Sequence, residues 1–302
     1  MAPRTLPRLI ADIGGTNARF ALAGPDGISE VASLPVADYP DFLQAMDAYL
    51  GSHRAASPGA VAIAAAGPRD GDAVKLTNAP WRIEGGAVSA RLGGVPVRVL
   101  NDLEAVALCL PALAPGDVEV LAAGAPSSVP LPMLAANVGT GFGAAVAVPT
   151  ATGWTALGTE AGHTSLSPAT PDEQALLDSI RTVEVEDAFS GPGYARLFGA
   201  ALQDGGEAVR PVPPEDQARK RSLYSQIFGR VLGDLALATG AWGGVFLCGG
   251  VMSDLPRVMD VETVLRAFRA KGKMADRMQR IALCRITAAG PAFRALATAE
   301  IG

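Results

Sequence analysis

One pattern occurs twice along the chain: an apolar segment, a glycine turn that contains threonine, and a second apolar segment. The first copy spans residues 9–23 around the letters GGTN, and the second spans residues 134–148 around GTGFG. Apolar runs joined by glycine turns predict β-hairpins. With 302 residues the chain is longer than one ordinary domain. The repeat is short, but its order along the chain favours two related lobes.

Predicted strands and helices alternate along the remainder of the chain, which favours an α/β fold. Strands are predicted at 28–36, 60–66, 95–100, 244–248 and 281–286, and helices at 39–50, 103–110, 172–181, 222–238, 261–269 and from 292 onward. Turn-forming and charged residues at 203–216 predict an exposed loop. The segment PALAPG at 111–116 interrupts the pattern and is the predicted domain boundary.

The charge balance argues against a nucleic-acid partner. The chain has 25 Lys and Arg against 30 Asp and Glu, a formal net charge of −5, and lacks a basic stripe. No run of about 18 apolar residues is present, and the amino terminus lacks the apolar segment of a secretory signal. We therefore expect a cytoplasmic protein without a membrane partner.

Cysteine and histidine are scarce, which limits the possible metal sites. Cys109, Cys248 and Cys284 are far apart and form no CxxC pair, so neither a disulfide framework nor a zinc site is expected. The only histidines are His53 and His163.

The two glycine turns are candidate phosphate-binding elements. Glycines let backbone N–H groups approach an anion closely, and a strand carboxylate before the first turn suits Mg²⁺-phosphate. The alternative is that both are plain hairpins. The first turn is neither a P-loop, because no Gly-Lys-Ser/Thr follows, nor a dinucleotide fingerprint, because the turn leads to a strand. The candidate residues are Asp12, Gly14, Gly15, Thr16 and Asn17 in the first turn, and Gly139, Thr140 and Gly141 in the second.

Asn101 and Asp102 follow a predicted strand, a position where ligands collect in open α/β sheets. The amide suits a ligand hydroxyl, and the carboxylate suits the role of a base that takes the hydroxyl proton during phosphoryl transfer. The alternative is a helix N-cap, because a helical run starts directly afterwards. Both roles are compatible.

Glu160 and His163 lie three positions apart around a small, turn-prone pair. A carboxylate and an imidazole that face one ligand would suit a polyol. The alternatives are solvated surface residues and, less favoured because no further His or Cys lies nearby, a metal site.

Seven segments in register resemble one known family over nearly the whole chain: IADIGGTNARFAL, LTNAPW, VLNDLEAVA, VGTGFGAA, TEAGHTSLSP, EDAFSGPG and GGVFLCGGV. The chain is similar to the bacterial glucokinases of the hexokinase/actin-like ATPase superfamily, in the branch typified by proteobacterial enzymes. The resemblance implies two RNase-H-like α/β lobes with an interlobe cleft. The implied small lobe is 1–110 joined by the helix 290–302, and the implied large lobe is 111–289.

The resemblance also implies an activity and roles for individual residues. ATP with Mg²⁺ would phosphorylate the 6-hydroxyl of D-glucose at the head of glycolysis, with Asp102 as the base and a homodimer as the usual assembly. Asp12 would hold Mg²⁺ through water, and the two glycine turns would bind the phosphates. The implied sugar ligands are Asn78, Asn101, Asp102, Glu160, His163 and Glu186, and the implied adenosine loop is Gly249 and Gly250. The Cys-rich zinc motif of the related ROK kinases is missing, so no structural zinc is expected.

Three departures from the family pattern leave the acceptor sugar open. Ala161 stands where glycine is usual, Thr164-Ser165-Leu166-Ser167 replaces an apolar-aromatic segment, and the tail PAFRALATAE replaces a more glycine-rich segment. A kinase for glucosamine, mannose or fructose is therefore an alternative, and a non-catalytic sugar sensor is a second one. The sensor is disfavoured because it needs no phosphate-binding or catalytic groups.

Overall fold

The structure is a computed structural model that describes residues 6–53, 57–199 and 214–299. The chain divides into two compact units. The first unit contains the described residues up to Cys109 together with those from Ala289 onward, and the second spans Leu110–Ala288. The predicted division into a small lobe, 1–110 joined by the helix 290–302, and a large lobe, 111–289, stays a prediction.

Strands and helices alternate in both units. The strands are β1 Arg8–Ile13, β2 Asn17–Gly24, β3 Gly27–Pro35, β4 Ala60–Ala65, β5 Arg69–Asp70, β6 Ala73–Lys75, β7 Arg82–Glu84, β8 Val97–Asn101, β9 Val118–Ala122, β10 Met133–Val138, β11 Phe142–Pro149, β12 Trp154–Thr159, β13 Gly244–Cys248 and β14 Leu283–Ile286. The helices are α1 Phe42–Ser52, α2 Gly85–Arg91, α3 Asp102–Cys109, α4 Pro171–Asp178, α5 Val185–Ala188, α6 Gly191–Phe198, α7 Pro214–Thr239, α8 Leu255–Val258, α9 Val261–Arg269, α10 Ala275–Met278 and α11 Pro291–Thr298.

The first unit is built on a five-stranded sheet of order β3-β2-β1-β4-β8. The hairpin β1–β2 is antiparallel, whereas β4 pairs with β1 and with β8 in parallel. Parallel strands covered on both faces are apolar nearly throughout, as β4 is with its sequence AVAIAA. The carboxyl ends of β1, β4 and β8 therefore meet at one edge of this sheet.

The carboxyl-terminal helix α11 belongs to the first unit, where it packs against α3 and β1. The guanidinium of Arg8 in β1 donates to the carbonyl of Leu296 in α11 over 2.8 Å. A small three-stranded antiparallel sheet, β5-β6-β7, follows β4 in the chain. The last residues of the described chain are thus tied to the first strand.

The second unit is built on a six-stranded sheet of order β12-β11-β10-β13-β14-β9. Its first three strands form an antiparallel meander, and β10, β13 and β14 then pair in parallel. The same succession, a meander that continues into parallel strands, occurs in the first unit. The predicted α/β fold with two hairpins around the glycine turns is confirmed.

Several predicted boundaries differ from the structure; for example, the helix predicted at 39–50 begins at Phe42 and the strand predicted at 281–286 begins at Leu283. Residues 203–213 of the predicted loop lie outside the described residues, but residues 214–216 belong to the start of α7. Proline is tolerated in the first turn of a helix, and acidic residues favour that end, so the charged segment extends the helix. Asn101 ends β8 instead of following it.

Each unit has its own apolar core. The first core is formed by residues of the five-stranded sheet, α1 and the small sheet. The second core is formed by residues of the six-stranded sheet and of the helices α4–α9. None of the described helices combines the length and apolar character that a membrane span requires.

Candidate functional site

Two carboxylates lie at the edge where the parallel strands of the first unit end. Asp12 is in β1 opposite Ala64 of β4, and Ala65 of β4 lies opposite Asn101 of β8. Asp102 is the first residue of α3, directly after β8. Burial is the main cause of the raised pKa of Asp102, and the nearby charge of Asp12 adds to it. The strand ends therefore bring together two of the predicted site residues.

The environment of Asp102 suits a base. Burial, chiefly, raises the pKa of Asp102 to about 6, and a hydrogen bond from the Leu103 amide, 2.9 Å to Oδ1, opposes this rise. Burial also raises the pKa of Asp12, and the charge of Arg19 opposes that rise. A carboxylate with a pKa near 6 is ionised at neutral pH and is a stronger base than an ordinary aspartate.

Asn101 begins the helix that carries Asp102, in the manner of an N-cap. Its side-chain Oδ1 accepts a hydrogen bond from the Leu103 backbone amide at 2.9 Å, and its backbone amide donates to Oε2 of Glu104 at 2.9 Å. Its Nδ2 donates to the Gly67 carbonyl at 2.9 Å. A hydrogen bond from the Asn101 side chain to the Asp102 carboxylate also lowers the pKa of Asp102. The capping alternative raised by the sequence is therefore supported, and the ligand role of Asn101 stays a prediction.

Glu104 was missed by the sequence reasoning. It is buried, 3% exposed, and its Oε2 lies 3.3 Å from Nε of Arg69 in β5. The spacing Asn-x-x-Glu before an apolar helical run is the capping-box pattern, and that signal could have identified it. Glu104 fixes the backbone of the residue that precedes Asp102.

The first glycine turn lies against Asn78. The Gly14 amide donates to the Asn17 carbonyl over 2.9 Å and closes the turn, while Thr16 and Asn17 are exposed. A Cβ placed on Gly15 would lie 2.8 Å from Cβ of Asn78, so only glycine fits there without displacement. The structure thus brings Asn78 to the turn that follows Asp12.

The second glycine turn lies beside Gly249 and Gly250 in the second unit. The Gly139 amide donates to the Gly141 carbonyl at 2.9 Å, and Thr140 is exposed. Gly249 has a φ of 100°, and a Cβ there would collide with Asn137 Oδ1 and the Val138 carbonyl. Because glycine alone suits that φ and that contact, the Gly249–Gly250 bend packs directly on the strand that leads into the turn.

Glu186 in α5 is joined to the same turn. Its Oε2 accepts from the Phe142 amide at 2.8 Å, and a Cβ on Gly141 would collide with that oxygen. The Gly191 amide, at the start of α6, donates to the Gly139 carbonyl at 2.7 Å. The turn and Glu186 therefore form one hydrogen-bonded group.

Glu160 and His163 flank a short turn of 3₁₀ helix, Ala161–His163, and the His163 amide donates to the Glu160 carbonyl at 3.0 Å. Both side chains are on the exposed surface. A hydrogen bond to Glu184 raises the pKa of His163, slight burial opposes the rise, and the charges of Glu186 and Glu160 add to it. The structure thus brings the three predicted residues Glu160, His163 and Glu186 together. Glu184 was not predicted.

The two departures near this cluster differ in exposure. The methyl group of Ala161 is in the core of the second unit, 4% exposed. Thr164 is exposed, and its hydroxyl donates to the Ala161 carbonyl at 2.8 Å. The Ala161 methyl group is therefore not added to the surface that carries Glu160. Over residues 6–53, 57–199 and 214–299, no cluster of three or more His, Cys, Asp or Glu side chains is arranged to hold a metal ion.

Comparisons with known proteins agree with these features. The family model described as "Glucokinase" matches residues 9–300. The glucokinase of Paramagnetospirillum magneticum is 37% identical, with 96% of each chain covered, and that of Nitrobacter hamburgensis is 35% identical, with 97% of each covered. The crystal structure of a glucokinase from an Antarctic psychrotroph superposes with a TM-score of 0.81 at 30% identity, covering 96% of this chain and 97% of that one. The chain belongs to the glucokinase family.

Proposed function

We propose that the protein is an ATP-dependent glucokinase, which transfers the γ-phosphate of ATP to the 6-hydroxyl of D-glucose. Family membership supports this activity. The single observation that carries the mechanism is the carboxylate of Asp102, which has a pKa of about 6 at the edge where the parallel strands end.

Asp102 is the proposed base. Its carboxylate takes the proton of the sugar 6-hydroxyl as the hydroxyl oxygen forms a bond to the γ-phosphorus. The bond between that phosphorus and the β–γ bridging oxygen breaks, and ADP leaves with the electron pair. The protein contributes mainly by positioning the reactants and by stabilising charge, as is general for phosphoryl transfer.

The remaining predicted residues supply binding. Glu160 and Glu186 accept hydrogen bonds from sugar hydroxyls, and His163, Asn101 and Asn78 complete the set. The support is that Glu160, His163 and Glu186 interact within one cluster.

The glycine turns are the proposed phosphate-binding elements, with Gly249 and Gly250 beneath the adenosine. Asp12 fits Mg²⁺, because one carboxylate with water ligands is a common way to hold this ion with nucleotide phosphates. When bound, Mg²⁺ neutralises charge on the phosphates of ATP. Thr16, Asn17 and Thr140 are exposed beside the turns and are available as donors.

We also propose a homodimer located in the cytoplasm, with neither nucleic acid nor membrane as a partner. The net charge of −5 supports the exclusion of nucleic acid.

A coupled assay of ADP release over a panel of hexoses tests the proposal. We expect glucose to give the highest kcat/KM among glucose, glucosamine, mannose and fructose, because a hydrogen-bonding site discriminates strongly between hydroxyl patterns. A higher kcat/KM for another hexose would reassign the substrate. An absence of hexose-dependent ADP release would leave the sugar-sensor alternative.

Asp102→Asn tests the base. We expect kcat to fall by about 10²–10⁴ while glucose still binds, since the amide cannot accept the proton. Asp26→Asn, an exposed aspartate in the β2–β3 turn, is the control and should retain wild-type kcat. Near wild-type turnover in Asp102→Asn would refute the role of Asp102.

A further inference from the structure

Glu184 lies against His163, although 21 positions separate the two residues. Nδ1 of His163 and Oε2 of Glu184 are 2.8 Å apart. The backbone holds the two segments together: the Val185 amide donates to the Thr164 carbonyl at 3.0 Å, and the Leu166 amide donates to the Val183 carbonyl at 3.0 Å. The backbone pairing therefore brings the two residues together, although both side chains are exposed.

The chemistry of the pair fixes the position of one proton. An ionised carboxylate only accepts hydrogen bonds, so Nδ1 of His163 must carry the proton and donate it. Nε2 is then the ring atom left for a ligand. It offers a lone pair when the ring is neutral and an N–H when the ring is an imidazolium.

Oε2 of the Glu184 carboxylate is directed to His163. The start of the helix is held instead by Asp187, whose Oδ2 accepts from the amides of Val183 and Glu184, both at 3.0 Å. Replacing the Glu184 side chain therefore leaves the bonds that organise this segment in place.

We propose that Glu184 is a positioning residue, which fixes the tautomer and the orientation of His163 so that Nε2 meets a hydroxyl of the hexose. This inference rests on the proposed function, in which His163 is a sugar ligand. Glu184 acts through His163 and touches neither the sugar nor the phosphate.

The surrounding charges set the protonation of this histidine. Four acidic residues face the His163 ring. Glu184 precedes α5, Glu186 and Asp187 lie in α5, and Glu160 precedes the turn that contains His163. The Glu184 hydrogen bond is the largest cause of the raised pKa of His163, so the donor form of Nε2 persists to higher pH than it would without Glu184.

Two variants separate orientation from charge. Glu184→Gln keeps an oxygen that can accept from Nδ1 but loses the charge, and Glu184→Ala loses both. We expect KM for glucose to rise about five- to tenfold in the alanine variant and less in the glutamine variant, with kcat within about twofold of wild type, because the lost hydrogen bond orients a ligand-binding group only. Glu119→Gln removes an exposed carboxylate paired with Arg285 at 2.7 Å in the same unit and should change neither constant.

Histidine NMR gives a readout independent of activity. The chain has two histidines, so ¹⁵N-histidine labelling of the full chain yields two rings, and His53 is an internal control because its Nδ1 bonds to the Tyr49 carbonyl at 2.8 Å. In both variants we expect the His163 titration to move to lower pH while the His53 signals stay unchanged. In wild type, at a pH where the His163 ring is neutral, we expect its ¹⁵N chemical shifts to show that Nδ1 carries the proton.

The outcomes separate this inference from the proposed function. An unchanged His163 titration, or a wild-type KM in Glu184→Ala, overturns the positioning role even if the kinase is fully active. Absence of glucose-dependent ADP release in the wild-type chain overturns the proposed function, whereas the NMR titration still reports whether Glu184 fixes His163.

Discussion

The ionisation of Asp102 makes a prediction at the scale of a single residue. Because the base must be ionised and its pKa is raised to about 6, chiefly by burial, kcat for glucose should fall about tenfold per pH unit below 6 and level off above it. A pH profile of kcat with saturating glucose and MgATP measures this. A plateau that extends unchanged to pH 4.5 would mean that another group is the base.

Residues that act through local spacing could be predicted from the sequence, and residues that act through distant partners could not. Asn101 and Asp102 stand out because they lie where a strand ends and a helix starts. Glu186 could be named only by resemblance, since its link to the Phe142 amide spans 44 positions. Glu184 was not predicted for the same reason. Its partner His163 is brought to it by backbone pairing between segments that are separate in the chain.

At the scale of elements, an ion pair with a buried carboxylate joins α4 to α7. Glu173 is 0% exposed and makes two bonds with Arg230, Oε1 to Nη1 at 2.9 Å and Oε2 to Nη2 at 2.8 Å. Its Oε2 also accepts from the Ala169 amide at 2.6 Å. This pair fixes the segment that follows the Glu160–His163 cluster.

Glu173→Ala should lower the free energy of unfolding by about 1.5–3 kcal/mol, because it removes charge-assisted hydrogen bonds to Arg230, whose side chain is 24% exposed. Asp172→Ala is the matched control: its partner Arg219 is 2.7 Å away, but both side chains are more than half exposed, so the loss should stay below about 1 kcal/mol. Urea unfolding of both variants measures the difference. Equal losses would contradict the assignment.

The same pair has a pH signature. Burial acts to raise the pKa of Glu173, but the hydrogen bonds from Arg230 and Ala169 outweigh it and hold the pKa below its ordinary value of 4.5. A carboxylate with a lowered folded pKa contributes its full stabilisation above the unfolded value and loses it as pH falls through the folded value. The stability gap between wild type and Glu173→Ala should therefore narrow only below pH 4.5.

The sequence predicted the hairpins well because two strands and their turn are consecutive. It did not predict the order of the sheets, since the pairing of β1 with β4 and of β10 with β13 joins strands that are far apart in the chain. The start of α7 was predicted at residue 222, but the helix begins at Pro214. At α7 the charged, proline-containing segment resembles a loop, yet its residues are also favoured at the start of a helix.

At the scale of the whole molecule, the two units have separate cores, and each contains a buried thiol. Cys109 is 2% exposed in the first unit, and Cys284 is 4% exposed in the second, where burial raises the pKa of its thiol. A buried thiol reacts only when its surroundings open. The two cysteines therefore report on their own units.

Pulse alkylation along a urea gradient, read by mass spectrometry, tests whether the units unfold separately. We expect Glu173→Ala to lower the urea midpoint for alkylation of Cys284 and to leave that of Cys109 unchanged, because Glu173 lies in the second unit. Asp172→Ala should shift neither by a comparable amount. Equal shifts for both cysteines would show that the chain unfolds as a single cooperative body.

The bond between Glu186 and the second glycine turn has a thermodynamic consequence for the complete reaction. One carboxylate is shared between the proposed sugar ligands and the proposed phosphate turn, so each substrate should change the other's affinity, and by the same factor in both directions. Gly141→Ala places a methyl group on the Glu186 oxygen and should bring that factor towards one. Calorimetry with glucose and a non-hydrolysable ATP analogue, titrated in either order, measures it, and an unchanged factor in Gly141→Ala would remove Glu186 as the link. If the factor does move towards one in Gly141→Ala, a single hydrogen bond of 2.8 Å lets the enzyme favour both substrates together over either one alone.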